Sequence, residues 1–226
     1  MQKLSTVGLQ QLLARYSMFT VKKPLRAKYF LMHFQLVDNL NLYEATRILS
    51  EAFQDDPVIN WVCNNPPSLE PFFQFTLPVL VWHELSYLDP AGRGAASWLG
   101  PSQKLKWPLN LSSAVTALKV GGLVGIYRLL LSAIKTERYH PKRPHYYLFA
   151  IGVTPENEGQ GLGTALISHM LKRCDAEGMP AYLENSKEEN LPFYKGHGFK
   201  VLRQIRFSSS APPLWLMWRD PIEPQQ

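Results

Sequence analysis

Residues 146–163, YYLFAIGVTPENEGQGLG, decide how this chain is read. The apolar run at 146–153 has the length of one strand and is nonpolar at nearly every position. That pattern suits a strand buried on both faces, although periodicity alone also admits a helix. Pro155 closes the run. A loop carrying Gly159, Gly161 and Gly163 follows, and an amphipathic segment begins at once. Leu162, Leu166, Met170 and Cys174 lie on one stripe, with Ile167 and Leu171 beside it. Gly178 and Pro180 end that helix. Strand, glycine-rich turn and helix form an anion-binding design, because outward N–H groups and the helix dipole both favour negative charge. The spacing excludes two familiar phosphate loops. No Lys-Ser/Thr follows as in GxxxxGK[ST], and the third glycine comes too early for GxGxxG. By itself the turn reads equally well as purely structural.

Composition sets the outer bounds. With 226 residues and 46% hydrophobic content, the chain can bury a full core as one domain. A net charge of +6 favours acidic ligands or surfaces. No zinc spacing, RNP-like run or helix-turn-helix signature points to nucleic acid, and no metal-ligand cluster is present. Cys63 and Cys174 read as buried thiols of a reducing compartment rather than a disulfide.

In chain order, 1–27 forms an N-terminal arm with a short helix around 9–16 and a basic patch at Lys22, Lys23, Arg26 and Lys28. It lacks the features of a secretory signal. The first 28 residues contain no acid, so an organellar presequence stays open beside the cytoplasmic expectation. Residues 28–226 then form a single domain. A first strand is expected at 28–36, and a helix at 40–53 capped by Asp38 or Asn39. Asp55-Asp56 before Pro57 reads as a solvated turn and helix cap, with metal or acid/base work as the alternative. An aromatic helix at 71–82 precedes a hairpin of strands 84–88 and 95–99, joined through DPAGRG. Residues 109–134 are apolar but interrupted by Lys119 and Arg128, so no membrane span is expected. One or two helices packed over the sheet, with Gly121, Gly122 and Gly125 allowing close approach, are expected there. The basic connector at 135–145 reads as a solvated loop, or as an attractor of phosphates.

Beyond the central helix come a short strand at 181–184 and the stretch ENLPFYKGHGF at 189–199. Asn190 fits an N-cap, Pro192 a first turn and Gly198 a C′ glycine. Strands at 199–207 and 214–219 then close a hairpin.

Two motifs now stand in order. VTPENEGQGLG resembles the pyrophosphate loop Q/R-x-x-G-x-G/A of the GNAT superfamily of acyl-CoA N-acyltransferases, and N-x-x-F-Y-x-x-x-G-F resembles its second hallmark. AFQDDPVINWV, SWLGP, PHYYLFAIGVTP and YLENS–NLPFYKGHGF together resemble the puromycin N-acetyltransferase-like branch, over residues 40–219. One departure is Glu158, where the family has Gln or Arg. A carboxylate there repels a pyrophosphate unless it turns to solvent, while the backbone donors survive.

The resemblance implies an α+β fold (three-layer α/β/α): a mixed, strongly twisted sheet whose central parallel strands splay apart. It implies acetyl-CoA as acyl donor, held by the backbone of Ile151, Gly152 and Val153, by the loop Glu158, Gly159, Gln160, Gly161, Leu162, Gly163 and Thr164, and by Asn190 and Phe193. Tyr194 is placed as the general acid that protonates the CoA thiolate, and a Val153 N–H as oxyanion donor. Glu184 is the first candidate base and His145 the second. His197 reads as solvated. Trp61, Phe72, Phe73 and Trp98 read as core, with acceptor lining as the alternative. A small-molecule amine is the expected acceptor, for a monomer or homodimer. A protein acceptor, or an acyl-CoA-binding protein without turnover, are the alternatives; Glu158 motivates the latter.

Overall fold

The structure, a computed structural model, describes residues 33–105 and 111–223. The expected arm, and most of the strand expected at 28–36, lie outside the described residues. Seven strands form one sheet in the order β1-β2-β3-β4-β5-β7-β6. They are β1 (Gln35–Leu36), β2 (Ser86–Leu88), β3 (Gly94–Leu99), β4 (Tyr146–Val153), β5 (Ala181–Asn185), β6 (Lys200–Arg206) and β7 (Pro213–Arg219). Among the described residues only β4 and β5 pair in parallel; every other neighbour is antiparallel. Helices α1 (Leu42–Ala52), α2 (Pro57–Val62) and α3 (Glu70–Val81) cover one face; α5 (Leu162–Ala176) and the short α6 (Leu191–Gly196) cover the other. Ile48, Leu49, Phe73, Leu77 and Leu80 build one core, and Leu166, Ile167, Met170 and Cys174 the other. The result is the α+β, three-layer arrangement expected from the sequence.

Local signals set most boundaries. Asp56 caps α2, accepting from Ile59 N–H at 2.7 Å, with Pro57 at the first helical position. Ahead of α1 the capping differs from expectation. Asp38 accepts from Leu40 N–H at 2.8 Å in a side-chain turn, and Asn41 stands at the N-cap without a capping bond, its Oδ1 accepting instead from Asp38 N–H at 2.9 Å. The hairpin β2–β3 forms as read, its turn closed by an Arg93–Asp89 pair at 2.7 Å. Both cysteines are buried and free, and burial pushes each thiol up to about 12, so neither supplies a thiolate.

The last two strands pair as a hairpin, but β7 lies inside and β6 at the edge. Composition gives the reason. β7, PLWLMWR, is buried along most of its length, whereas β6, KVLRQIR, carries Lys200, Arg203 and Arg206 and is exposed. Charged residues on an unpaired edge discourage pairing with another chain.

Helix α4 (Leu111–Tyr139) departs from the expected sheet cover. Gly122, at φ 63° and ψ −164°, interrupts it. Its Gly125 lies against α2, where an added Cβ would come 3.2 Å from the Val62 carbonyl oxygen. Gly121 and Gly125 allow close approach as expected, whereas an added Cβ at Gly122 would meet nothing within 4 Å; the helix leans on its neighbours and leaves much of its apolar surface outside.

Candidate active site

The site begins with an irregularity in β4. Against β3, Ala150 faces Ser97 and Leu148 faces Trp98, which leaves Phe149 as an extra residue. This is a β-bulge, and it resets the phase of the strand. Tyr146 and Leu148 belong to the α5-side core. Phe149 and Ala150, though consecutive, both face the α1 side, and Ile151 and Val153 return to α5. The backbone is rephased as well. Tyr146 N–H donates toward β5, to the Pro180 oxygen at 2.9 Å, whereas Thr154 N–H donates toward β3, to Arg93 O at 2.9 Å. Alternation therefore turns the N–H groups of Ile151 and Val153 toward the β5 side. β5 is not there to receive them: its pairing with β4 runs only from Tyr146–Ala181 to Leu148–Leu183. Beyond that point the two strands part.

Gly152 makes the opening compact. An added Cβ would lie 2.5 Å from Ala52 Cβ and 3.2 Å from Leu49 Cδ2, so glycine lets α1 press onto the strand. A cleft open to solvent occupies the divergence. Its walls include Phe53, Asp56, Phe149, Ile151, Glu184, Ser186, Asn190 and Tyr194.

At the end of β4, Thr154 is buried and accepts from Asn157 Nδ2 at 2.9 Å. Gly159 (φ 67°) and Gly161 (φ 86°) take left-handed conformations that bring the chain into α5. The first bond of the helix runs from Ala165 N–H to Gly161 O. Leu162, Gly163 and Thr164 N–H therefore have no acceptor within the helix and point out of its N-terminus. Glu158 and Gln160 are exposed. The exposed position leaves the Glu158 carboxylate free to turn to solvent. Gly161→Ala should lower stability by about 1–2 kcal/mol through the left-handed backbone. Gly163→Ala, where a Cβ meets nothing closer than 3.7 Å, should be neutral or stabilising; paired thermal melts check both.

Across the cleft, Tyr194 on α6 is buried. Burial, and then the negative charge of Asp56, push its phenol well above the ordinary value. Asp56 is 2% exposed; its Oδ2 accepts from Ser186 Oγ, and the neighbouring Lys187 pairs with Asp55. These two ties hold the α1–α2 loop to the end of β5. Burial raises the Asp56 carboxyl above its usual range, opposed by the Ile59 and Ser186 hydrogen bonds. Asp56 is the helix cap that the sequence indicates, but it is buried, because the β5 end closes over it. Its signal was the Asp-Asp-Pro spelling alone, which does not tell a buried cap from a solvated one.

Glu184 lines the same cleft, accepting from Tyr182 Oη at 3.0 Å and facing Tyr147 Oη at 3.4 Å. His145 is elsewhere. It sits at the closed end of β4, 7% exposed, with Nδ1 on Arg143 O at 2.6 Å and Nε2 on His140 Nε2 at 3.2 Å. Burial lowers its pKa. The structure therefore brings Tyr194 and Glu184 together with Asp56 and leaves His145 outside the cleft lining. Asn190 makes no capping bond and lines the cleft, while Phe193 packs near Gly163. His197 is half-buried rather than solvated, held by Phe193 O at 2.8 Å. Phe73 and Trp98 are core residues, fully buried, and none of the four aromatic residues weighed from the sequence lines the cleft.

Residues 96–199, the span from β3 through the glycine loop to the end of α6, match the Acetyltransferase (GNAT) family model. This span belongs to the GNAT acetyltransferase family. An uncharacterized N-acetyltransferase of Schizosaccharomyces pombe is 27% identical to this GNAT chain over 195 residues, covering 79% of each protein. Among solved structures, the histone acetyltransferase HPA2 and related acetyltransferase from Corynebacterium glutamicum superposes with a TM-score of 0.61 at 22% identity, over 86% of this chain and 99% of that one. Arylalkylamine N-acetyltransferase 2 from Aedes aegypti gives 0.57 at 15% identity, over 84% and 99%. At these identities the two structures speak to the fold. GNAT acetyltransferases draw on acyl-CoA donors, and the GNAT chain here is accordingly an acetyltransferase.

Proposed function

We propose that this GNAT protein is an N-acetyltransferase that moves the acetyl group of acetyl-CoA to the primary amine of a small molecule with an apolar body. One observation carries the reading: the gap between β4 and β5 has two carboxylates, Asp56 and Glu184, in its walls, and the first turn of α5 lies at the end of β4, where an added Gly163 Cβ would stand 3.8 Å from Val153 Cγ2. The residues fit the donor. Ile151 and Val153 offer strand-edge donors, the first turn of α5 offers N–H groups for a pyrophosphate, Asn190 lies on the path between, and Glu158 is exposed. Two carboxylates beside Phe53 and Phe149 favour a cationic amine attached to an apolar or aromatic group. The puromycin N-acetyltransferase-like sequence pattern supports the same class of acceptor.

Acetyl-CoA supplies a thioester carbonyl; its C–S bond breaks as the amine nitrogen forms the C–N bond. Asp56 takes the proton that the amine sheds. Its raised pKa brings it closer to neutrality than an ordinary carboxylate, which makes it the better matched base. Glu184, already engaged by Tyr182, orients the incoming ammonium. Val153 N–H stabilises the developing oxyanion. Tyr194 Oη donates its proton to the departing sulfur. The phenol is held above the ordinary value, so this step relies on a thiolate desolvated in the cleft, whose own affinity for a proton is raised.

Calorimetric titration of acetyl-CoA, followed by thiol release over a panel of arylalkyl- and alkylamines, tests the reading. Tyr194→Phe should bind acetyl-CoA as the parent does and release thiol about 10- to 100-fold more slowly. Absence of acetyl-CoA binding by the parent chain would end the proposal.

A further inference from the structure

Helix α4 is amphipathic in the reverse sense. Its inward side carries Gly121, Gly125, Arg128, Ser132 and Lys135. Arg128 Nη1 donates to the Trp61 carbonyl at 2.7 Å and its guanidinium lies 4.8 Å from the Trp61 ring. Lys135 Nζ donates to Arg206 O at 3.2 Å, and Ser132 is buried. The outward side carries Leu123, Tyr127, Leu130 and Ile134, which are 79%, 66%, 59% and 68% exposed. Their spacing is 4, 3, 4, so they form one stripe. Val124, and Val115 and Leu118 before the Gly122 break, are also exposed. A contiguous apolar stripe of this kind on a folded domain marks a contact with something apolar.

The segment Ala117–Tyr139 is long and apolar enough to cross a membrane. Its attachment argues for lying flat instead. Gly122 breaks the rod, and the inner-face polar groups are bonded to the domain, so crossing would strip Arg128 and Lys135 of their carbonyl partners. Charge then selects the occupant. Exposed Lys119 and Arg138 bracket the stripe, and exposed Lys142 follows. Arg138 and Arg203 converge on the Tyr139 ring, at 5.8 and 5.3 Å. The acid in this stretch is Glu137. Two copies of the chain packed antiparallel through the stripe would set Arg138 of one against Lys119 of the other, with like charges facing. An anionic lipid surface receives both features at once: the apolar side chains enter the headgroup boundary while the flanking cations meet lipid charge.

We propose that α4 docks the enzyme, in the plane of the membrane, onto bilayers containing anionic lipid. Flotation of the full chain with phosphatidylcholine vesicles, with and without phosphatidylserine, tests this. The parent chain should float with phosphatidylserine vesicles, far less with phosphatidylcholine alone, and be released by salt. Leu130→Glu combined with Ile134→Glu should weaken binding about tenfold or more, and Lys119→Glu combined with Arg138→Glu by a comparable factor, with melting temperature and thiol release in solution unchanged. Failure of the parent to float overturns the proposal. So does flotation that survives both double variants, which would pass the role to another part of the chain. A dimer in solution that Leu130→Glu and Ile134→Glu dissociate, without vesicle binding by the parent, would assign the stripe to a second copy instead.

Discussion

Asp56→Asn is expected to lower kcat about 100-fold or more while leaving the melting temperature unchanged or higher at neutral pH. Asn keeps the geometry. It is as good an N-cap as Asp, its Oδ1 accepts from Ile59 N–H, and its amide can donate to the Ser186 hydroxyl. What is lost is the ability to take a proton. The sign of the stability effect follows from burial. A carboxyl whose folded-state pKa is raised binds its proton more tightly folded than unfolded. Its stabilising contribution is complete below the unfolded pKa and is lost as pH rises through the folded value. At neutral pH the wild-type enzyme carries the cost of a buried charge that Asn lacks, so the difference in melting temperature should narrow on acidification. The acid limb of kcat/KM should lie above the ordinary carboxylate range near about 3.9 and disappear in the variant, leaving the limb due to the amine itself. If Asp56→Asn keeps wild-type turnover, the base is Glu184, and Glu184→Gln is then the variant that falls.

Gly152→Ala is expected to destabilise the fold by about 1–3 kcal/mol, which for a domain of this size is about 2–4 °C in melting temperature for each kcal/mol. The new methyl would meet Ala52 Cβ at 2.5 Å, a contact that neither strand nor helix can relieve by rotating a side chain. Helix α1 would have to move, and with it the loop that carries Asp56 into the cleft. Turnover should fall together with stability. The pair Gly152→Ala and Ala52→Gly returns the methyl group to the same space from the opposite side. It should recover most of the loss, less the small cost of glycine in the last position of a helix. Additive losses in the double variant would show that the contact with Ala52 is not the reason for the glycine.

Much of the fold was legible because its signals are local. An apolar run closed by Pro155, glycines at positive φ and a stripe from Leu162 to Cys174 each write their structure within a few residues, and β4, the loop and α5 follow within a residue or two. The anion-binding geometry of that loop is local for the same reason, since it consists of the first backbone donors of the helix that the glycines admit. The order of the last two strands is local as well, written in the charges of Lys200, Arg203 and Arg206 against the apolar β7.

The sequence by itself determined the elements and the kind of ligand that the helix terminus can hold. Tertiary structure alone decided which acid faces the cleft. Asp56 meets Ser186 across 130 residues, and only the closure of the β5 end over the α1–α2 loop turns an ordinary helix cap into a buried carboxyl beside Tyr194. It decided where the N–H groups of Ile151 and Val153 point, because the extra residue at Phe149 exists only relative to the register of β3. It removed His145 from the cleft and turned the apolar stripe of α4 outward. Burial and register are relations between distant segments, and a pattern read along the chain carries neither.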